Sequence, residues 1–237
     1  MIRLLHLLLF TVISTLAAAQ NHQELALQAY LSAELAGWDD AIEAAQQLPD
    51  ERDRHIYGMR YNQLALGAAM GLADEKASDR YIDQLDAAVD AYWELDEKNA
   101  AAHGHYSALL GFKIARNPMS GMLYGSKASK YAKTAYEMDP SDPVAALSIT
   151  SNLFYTPKQW GGDPDKALGY ITKAAAALPT GWESDPLALD VLVTQGMILA
   201  ALERKEEAKA VYERILTAQP EHSYVRHKLL PALESGK

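Results

Sequence analysis

Apolar residues recur along this chain at spacings of three and four, and prolines or glycines cut the pattern into blocks of similar length. That period is the signature of helices with one buried face. Leu25, Ala29 and Ala33 share a face in the first block, and GWDDAIEAAQQ, from Gly37, predicts a second helix with Asp39 or Asp40 near its positive end. Tyr57, Tyr61, Leu64, Ala65 and Ala68 form the next face, which Gly71 ends, and Tyr81, Leu85, Ala88 and Tyr92 mark a strongly amphipathic helix after it. Further helices are predicted over 99–115, 126–138, 143–154, 164–178, 186–200 and 205–217. Pro143, Pro164 and Pro186 fit first-turn positions, where the missing N–H would be unpaired anyway, and each follows an aspartate suited to N-capping. The stretch HSYVRHKLLPALE, beyond Pro220, predicts one short terminal helix. The fold class that follows is all-α.

The pattern also repeats at longer range. Gly111, Pro118, Ala128, Ala135 and Pro140 recur 39 residues later as Thr150, Pro157, Ala167, Ala174 and Pro179, and a third copy reads Gly196, Ala208, Tyr212, Ile215 and Pro220. A fixed period of this size points to stacked helix pairs, because one pair cannot bury its own apolar face. These residues resemble the tetratricopeptide-repeat (TPR) family, in exported bacterial form. In that family a small residue sits in the middle of the first helix, an alanine starts the second, an aromatic and another alanine follow at four and seven, and a proline ends the unit.

The resemblance implies a right-handed superhelical array, a TPR-like α-solenoid of about five antiparallel pairs. The units fall at 22–49, 50–98, 99–140, 141–179 and 184–220, with a cap at 221–233. Gly196 and Ala208 stand twelve apart, as in the usual unit, whereas Gly111 and Ala128 stand seventeen apart. The two middle units therefore carry about five extra residues between their helices. Within those insertions Trp160 is expected to pack under its loop against the neighbouring unit.

The N-terminus has a different pattern. MIRLLHLLLFTVISTLAAAQ combines Arg3, an apolar run from Leu4 to Leu16 and Ala17-x-Ala19, which describes a secretory signal peptide over 1–19. A membrane anchor is the competing reading. The run is short of the roughly 20 residues a spanning helix needs, and no basic stop-transfer cluster follows. Residues 20–237 would then form one exported domain, periplasmic or secreted. The chain has no cysteine, so helix packing and not disulfides must stabilise it. With 22 basic and 31 acidic residues, losing Arg3 takes the net charge from −9 to −10. That sign makes nucleic acid and anionic membrane surfaces poor partners for the molecule as a whole.

No catalytic pattern stands out. The chain lacks Gly-x-Ser-x-Gly, a phosphate loop with Lys-Ser/Thr and His-Glu-x-x-His, and Gly161-Gly162 precedes an aspartate and not a lysine. No enzyme and no cofactor is expected. His103-Gly104-His105, with Met119 and Met122 beyond, is the one metal-like signal, but histidines two apart on a helix diverge.

What the resemblance does imply is a surface. The first helices of successive units would line a concave wall that takes a peptide or partner segment. The partner-binding candidates on it are His105, Phe112, Ser151, Phe154, Tyr155 and Met197, with Lys113 and Arg116 adding positive charge for an acidic segment. The same aromatics could instead pack between units. The expected function is a non-enzymatic interaction scaffold of the cell envelope. The alternative is a small-ligand or metal-binding accessory protein with its site in the concavity or under the long loops. The export reading predicts that intact-mass measurement of protein from its native cells finds a chain beginning at Gln20; a mass that retains residues 1–19 would favour the anchor.

Overall fold

The computed structural model describes residues 21–95 and 99–235, so the leader lies outside the described residues. Helix α1 covers 21–32. It is followed by α2 (Leu35–Gln46), α3 (Glu51–Gly71), α4 (Glu75–Leu95), α5 (Ala100–Arg116), α6 (Gly121–Met138), α7 (Pro143–Tyr155), α8 (Pro164–Ala176), α9 (Pro186–Ala201), α10 (Lys205–Ala218) and α11 (Leu230–Ser235). Among the described residues there is no strand, and the protein is an all-α helical repeat. Each odd-numbered helix from α3 to α9 packs on its even partner. Inner helices also pack on one another, α3 on α5, α5 on α7 and α7 on α9, and each even helix from α2 packs on the next inner one.

Local chemistry accounts for most boundaries. Asp142 Oδ1 accepts from Ala145 N (2.8 Å), Asp163 Oδ1 from Lys166 N (3.1 Å) and Asp185 Oδ1 from Leu187 N (3.0 Å), each just before a first-turn proline. Helix α2 departs from expectation. It begins at Leu35, its cap Glu34 makes no side-chain bond, and Asp39 sits inside the helix with Arg80 and Tyr81 as partners. In the last segment Pro231 has no N–H to donate, and the preceding turn, Val225–Leu229, widens to a π-helix.

The turns inside the units come in two kinds. After α1, α3 and α9 a single non-glycine residue, Ala33, Ala73 or Glu203, takes a left-handed φ near +60° and the next helix starts at once. After α5 and α7 the chain instead makes short 3-10 turns at Pro118–Ser120 and Lys158–Trp160. In the third unit the extra residues are then wound into the start of α6 and leave almost no loop. In the fourth they stay irregular, and Gly162 is required there because a Cβ would lie 1.6 Å from Thr156 O. Trp160 does not pack beneath this loop; it is 75 % exposed, and it is the Gly162 backbone that closes against the end of α7, at Thr156 and Leu153.

Two apolar clusters make the core. The first holds Trp38, Tyr61, Tyr81 and Tyr92 between α1 and α5; the second holds Ile171, Leu187, Leu192 and Tyr212 between α7 and α10. Helix α1 joins them, with Ala26 and Ala29 in the first and Leu31 in the second. Gly196 shows how close the layers come: a Cβ there would stand 2.3 Å from Cε1 of Tyr212, whose ring is 1 % exposed and has no room to retreat. Gly196→Ala should lower stability by about 1–3 kcal/mol, the usual range for overpacking. Chemical denaturation measures it, and an unchanged midpoint would show the α9/α10 contact to be looser than described.

Candidate functional site: the inner helix face

The inner face divides into two halves. Near the starts of α3 to α9 it is polar and closed. His22, at the start of α1, shares a 2.8 Å hydrogen bond with Tyr61 of α3, while at the other end of α1 the Tyr30 hydroxyl donates to Asp190 of α9 over 3.0 Å. The Tyr30 ring also meets His222 of the terminal segment edge-on, 5.2 Å between centroids. Helix α1 therefore runs from the second unit to the fifth, and the two ends of the array touch. Arg60 of α3 lies behind it, 3.8 Å from Asp185 and over the Tyr57 ring, with its buried Nε unpaired among the described residues.

Burial sets the charges in this half. Desolvation, aided by the Arg60 guanidinium, pushes His105 down to about 3, so the ring is neutral and donates through Nδ1 to Gln63 Oε1 at 2.7 Å. Desolvation also lowers His222 to about 4. It raises Asp190 to about 6, partly offset by the Tyr30 hydrogen bond. His103 turns elsewhere, bonding Asn99 O through Nδ1 and lying against Trp93 and Tyr131. The two histidines thus diverge, and no group of three or more metal-capable side chains occurs among the described residues.

Toward the ends of the inner helices the face is apolar and more open. Tyr155 is 68 % exposed and stacks edge-on against Phe154, 4.8 Å between centroids. Ser151 and Met197 are half-buried. Phe112 is also half-buried and belongs to the first cluster, its Cζ 4.0 Å from where a Gly67 Cβ would stand; Phe154 packs on the second cluster. Three of the sequence candidates stand apart from this surface. His105 is 2 % exposed. Lys113 Nζ is 2.6 Å from Asp86, and Arg116 is held by Asp79 at 2.9 Å and Glu75 at 3.5 Å, so both cations are engaged by α4. The residues that sequence reasoning missed are Tyr30 and Arg60, which help to close the polar half and whose partners, Asp190 and Asp185, lie far away in the chain.

This arrangement defines a TPR-like helical repeat with an inner surface that is shut at one end and apolar at the other. No known family model matches the sequence, and no curated protein does. Among solved structures the chain resembles a thermophilic TPR protein from Thermus thermophilus, at 16 % identity and a TM-score of 0.57, over 91 % of this chain and 98 % of that one. The likeness extends to the fold.

The raised Asp190 pKa has a measurable consequence. A carboxyl that binds its proton more tightly when folded contributes stability below its unfolded pKa and loses it as pH rises through the folded one. Asp190→Asn keeps an acceptor for Tyr30 and removes the ionisation. The variant should gain on the wild type by about 2 kcal/mol between pH 4 and pH 7.5 in urea titrations. A difference that stays constant with pH would show that Asp190 ionises freely.

Proposed function

We propose that the protein is an exported, non-enzymatic scaffold of the cell envelope that holds an apolar segment of a partner protein against the open half of its inner face. The observation that carries this reading is Tyr155. A ring so exposed, braced edge-on by Phe154, is a preorganised anchor, and aromatic residues dominate binding hot spots. Helical repeats commonly use this face for partner segments, and the leader-like N-terminus supports the location. The segment would bind by apolar contact, because Lys113 and Arg116 are already paired. The closed half supports a second reading, a small polar ligand against Arg60, His105 and Gln63, since converging polar groups behind a closed wall are typical of ligand sites.

Affinity capture from envelope extract separates the two readings from each other and from a purely structural role. Tyr155→Ala, at an exposed position, should leave the unfolding midpoint nearly unchanged and weaken capture of a protein partner by at least about thirtyfold. Phe112→Ala should instead lower stability by about 2 kcal/mol, below the full core value because its ring is half-buried. Capture that survives Tyr155→Ala would remove the open half from the interface.

A further inference from the structure

Outside the inner face, the largest exposed apolar side chains collect on one edge of the array. Met119 is 83 % exposed, Met122 96 %, Leu123 68 % and Trp160 75 %. They lie in two adjacent places, the turn from α5 into α6 and the turn after α7. Helix α5 packs on α7, and Gly104 near the start of α5 meets Val144 near the start of α7, so the two helices begin side by side and release their turns at the same edge. The overall negative charge is thinner there: after Trp160 come Asp163, paired with Lys166 at 3.0 Å, and the exposed Asp165. Residues 99–136 and 143–162 contain no aspartate or glutamate, whereas α2 and α4 carry Asp39, Asp40, Glu43, Asp83, Asp90 and Glu94. The α4 carboxylates nearest the α5 turn, Glu75 and Asp79, are held by Arg116. Lys130 and Lys158 are exposed and make no ion pair among the described residues.

We propose that this edge is a peripheral docking surface for an anionic phospholipid bilayer, into which Met122, Leu123 and Trp160 dip while Lys130 and Lys158 meet the headgroups. The chemistry matches an interface better than a protein groove. The apolar side chains stand on two separate turns that α5 and α7 release at the same edge, so one flat surface could meet both at once. Tryptophan favours the headgroup boundary, flexible methionines adapt to it, and lysines are attracted by anionic lipid. The α4 carboxylates nearest the edge are offset by Arg116, and exposed charges more than about 10 Å away are largely screened at physiological salt. Such docking is distinct from spanning, and no helix among the described residues is long and apolar enough to cross a membrane.

The full-length chain, mixed with vesicles of phosphatidylethanolamine and phosphatidylglycerol containing brominated lipid, provides the test. Its tryptophan emission should be quenched, and Trp160→Phe should abolish most of that quenching. Met122→Ser combined with Leu123→Ser and Trp160→Ser, all at exposed positions, should lower vesicle partitioning at least tenfold with the helical circular dichroism intact. Lys130→Glu with Lys158→Glu should do the same on these vesicles and have little effect on phosphatidylcholine alone. Quenching that persists in Trp160→Phe, or partitioning that the triple variant retains, would assign any membrane contact to residues 1–19 and overturn the proposal. So would an absence of vesicle binding, which would leave the edge to a protein partner.

Discussion

Helix α1 has to satisfy two cores at once, and the geometry of the inner face depends on that. Its alanines Ala26 and Ala29 sit among the tyrosines of the first cluster, while Leu31, one helical face away, is buried with Val144 and Leu187. A short helix packed on only one neighbour would be marginal in water, since helices of about this length owe their stability to tertiary burial. Bridging two clusters resolves this and draws the first and last units together. The Tyr30–Asp190 hydrogen bond then fixes the approach, and the His222 ring covers it. What remains accessible on the inner surface is the half toward the ends of α5 and α7.

The same closure explains the distribution of charge. Groups near α1 are desolvated, so His105 and His222 are held neutral and Asp190 holds its proton to higher pH. Arg60 stands there 3.8 Å from Asp185. Elsewhere the cations serve as struts between helices, Lys113 and Arg116 on α4 and Arg80 on Asp39. Such pairs set orientation more than they stabilise, because solvent and salt screen them at exposed positions. The Tyr155 face and the apolar edge at the α5 and α7 turns are the surfaces left for other molecules.

How much of this was legible in the sequence depended on range. Aspartate followed by proline marks a helix start through contacts three residues apart, and the starts of α7, α8 and α9 follow from it. The small residue at Gly196 and the ring of Tyr212 meet because the repeat places them together, and periodicity carries that information. The start of α2 is not legible in this way, because Asp39 resembles a local cap in sequence whereas its partner Arg80 lies 41 residues away. Size and apolarity alone predict burial for Trp160, whereas the close approach of Gly162 to Thr156 O, which sets the shape of this turn, is a backbone contact that neither property registers. Contacts across the ring of units, such as Tyr30 to Asp190 at a separation of 160 residues, leave no periodic trace. The candidate site was therefore readable as a face and not as a pocket with a closed end.

Amide hydrogen exchange on the full-length protein tests the closure most directly. If α1 bridges both clusters, amides in its central turns should exchange as slowly as those of α9, because opening α1 would expose both cores. Exchange in α1 within seconds while α9 stays protected would contradict the account, for it would mean that the array stands open and that the whole inner face is accessible.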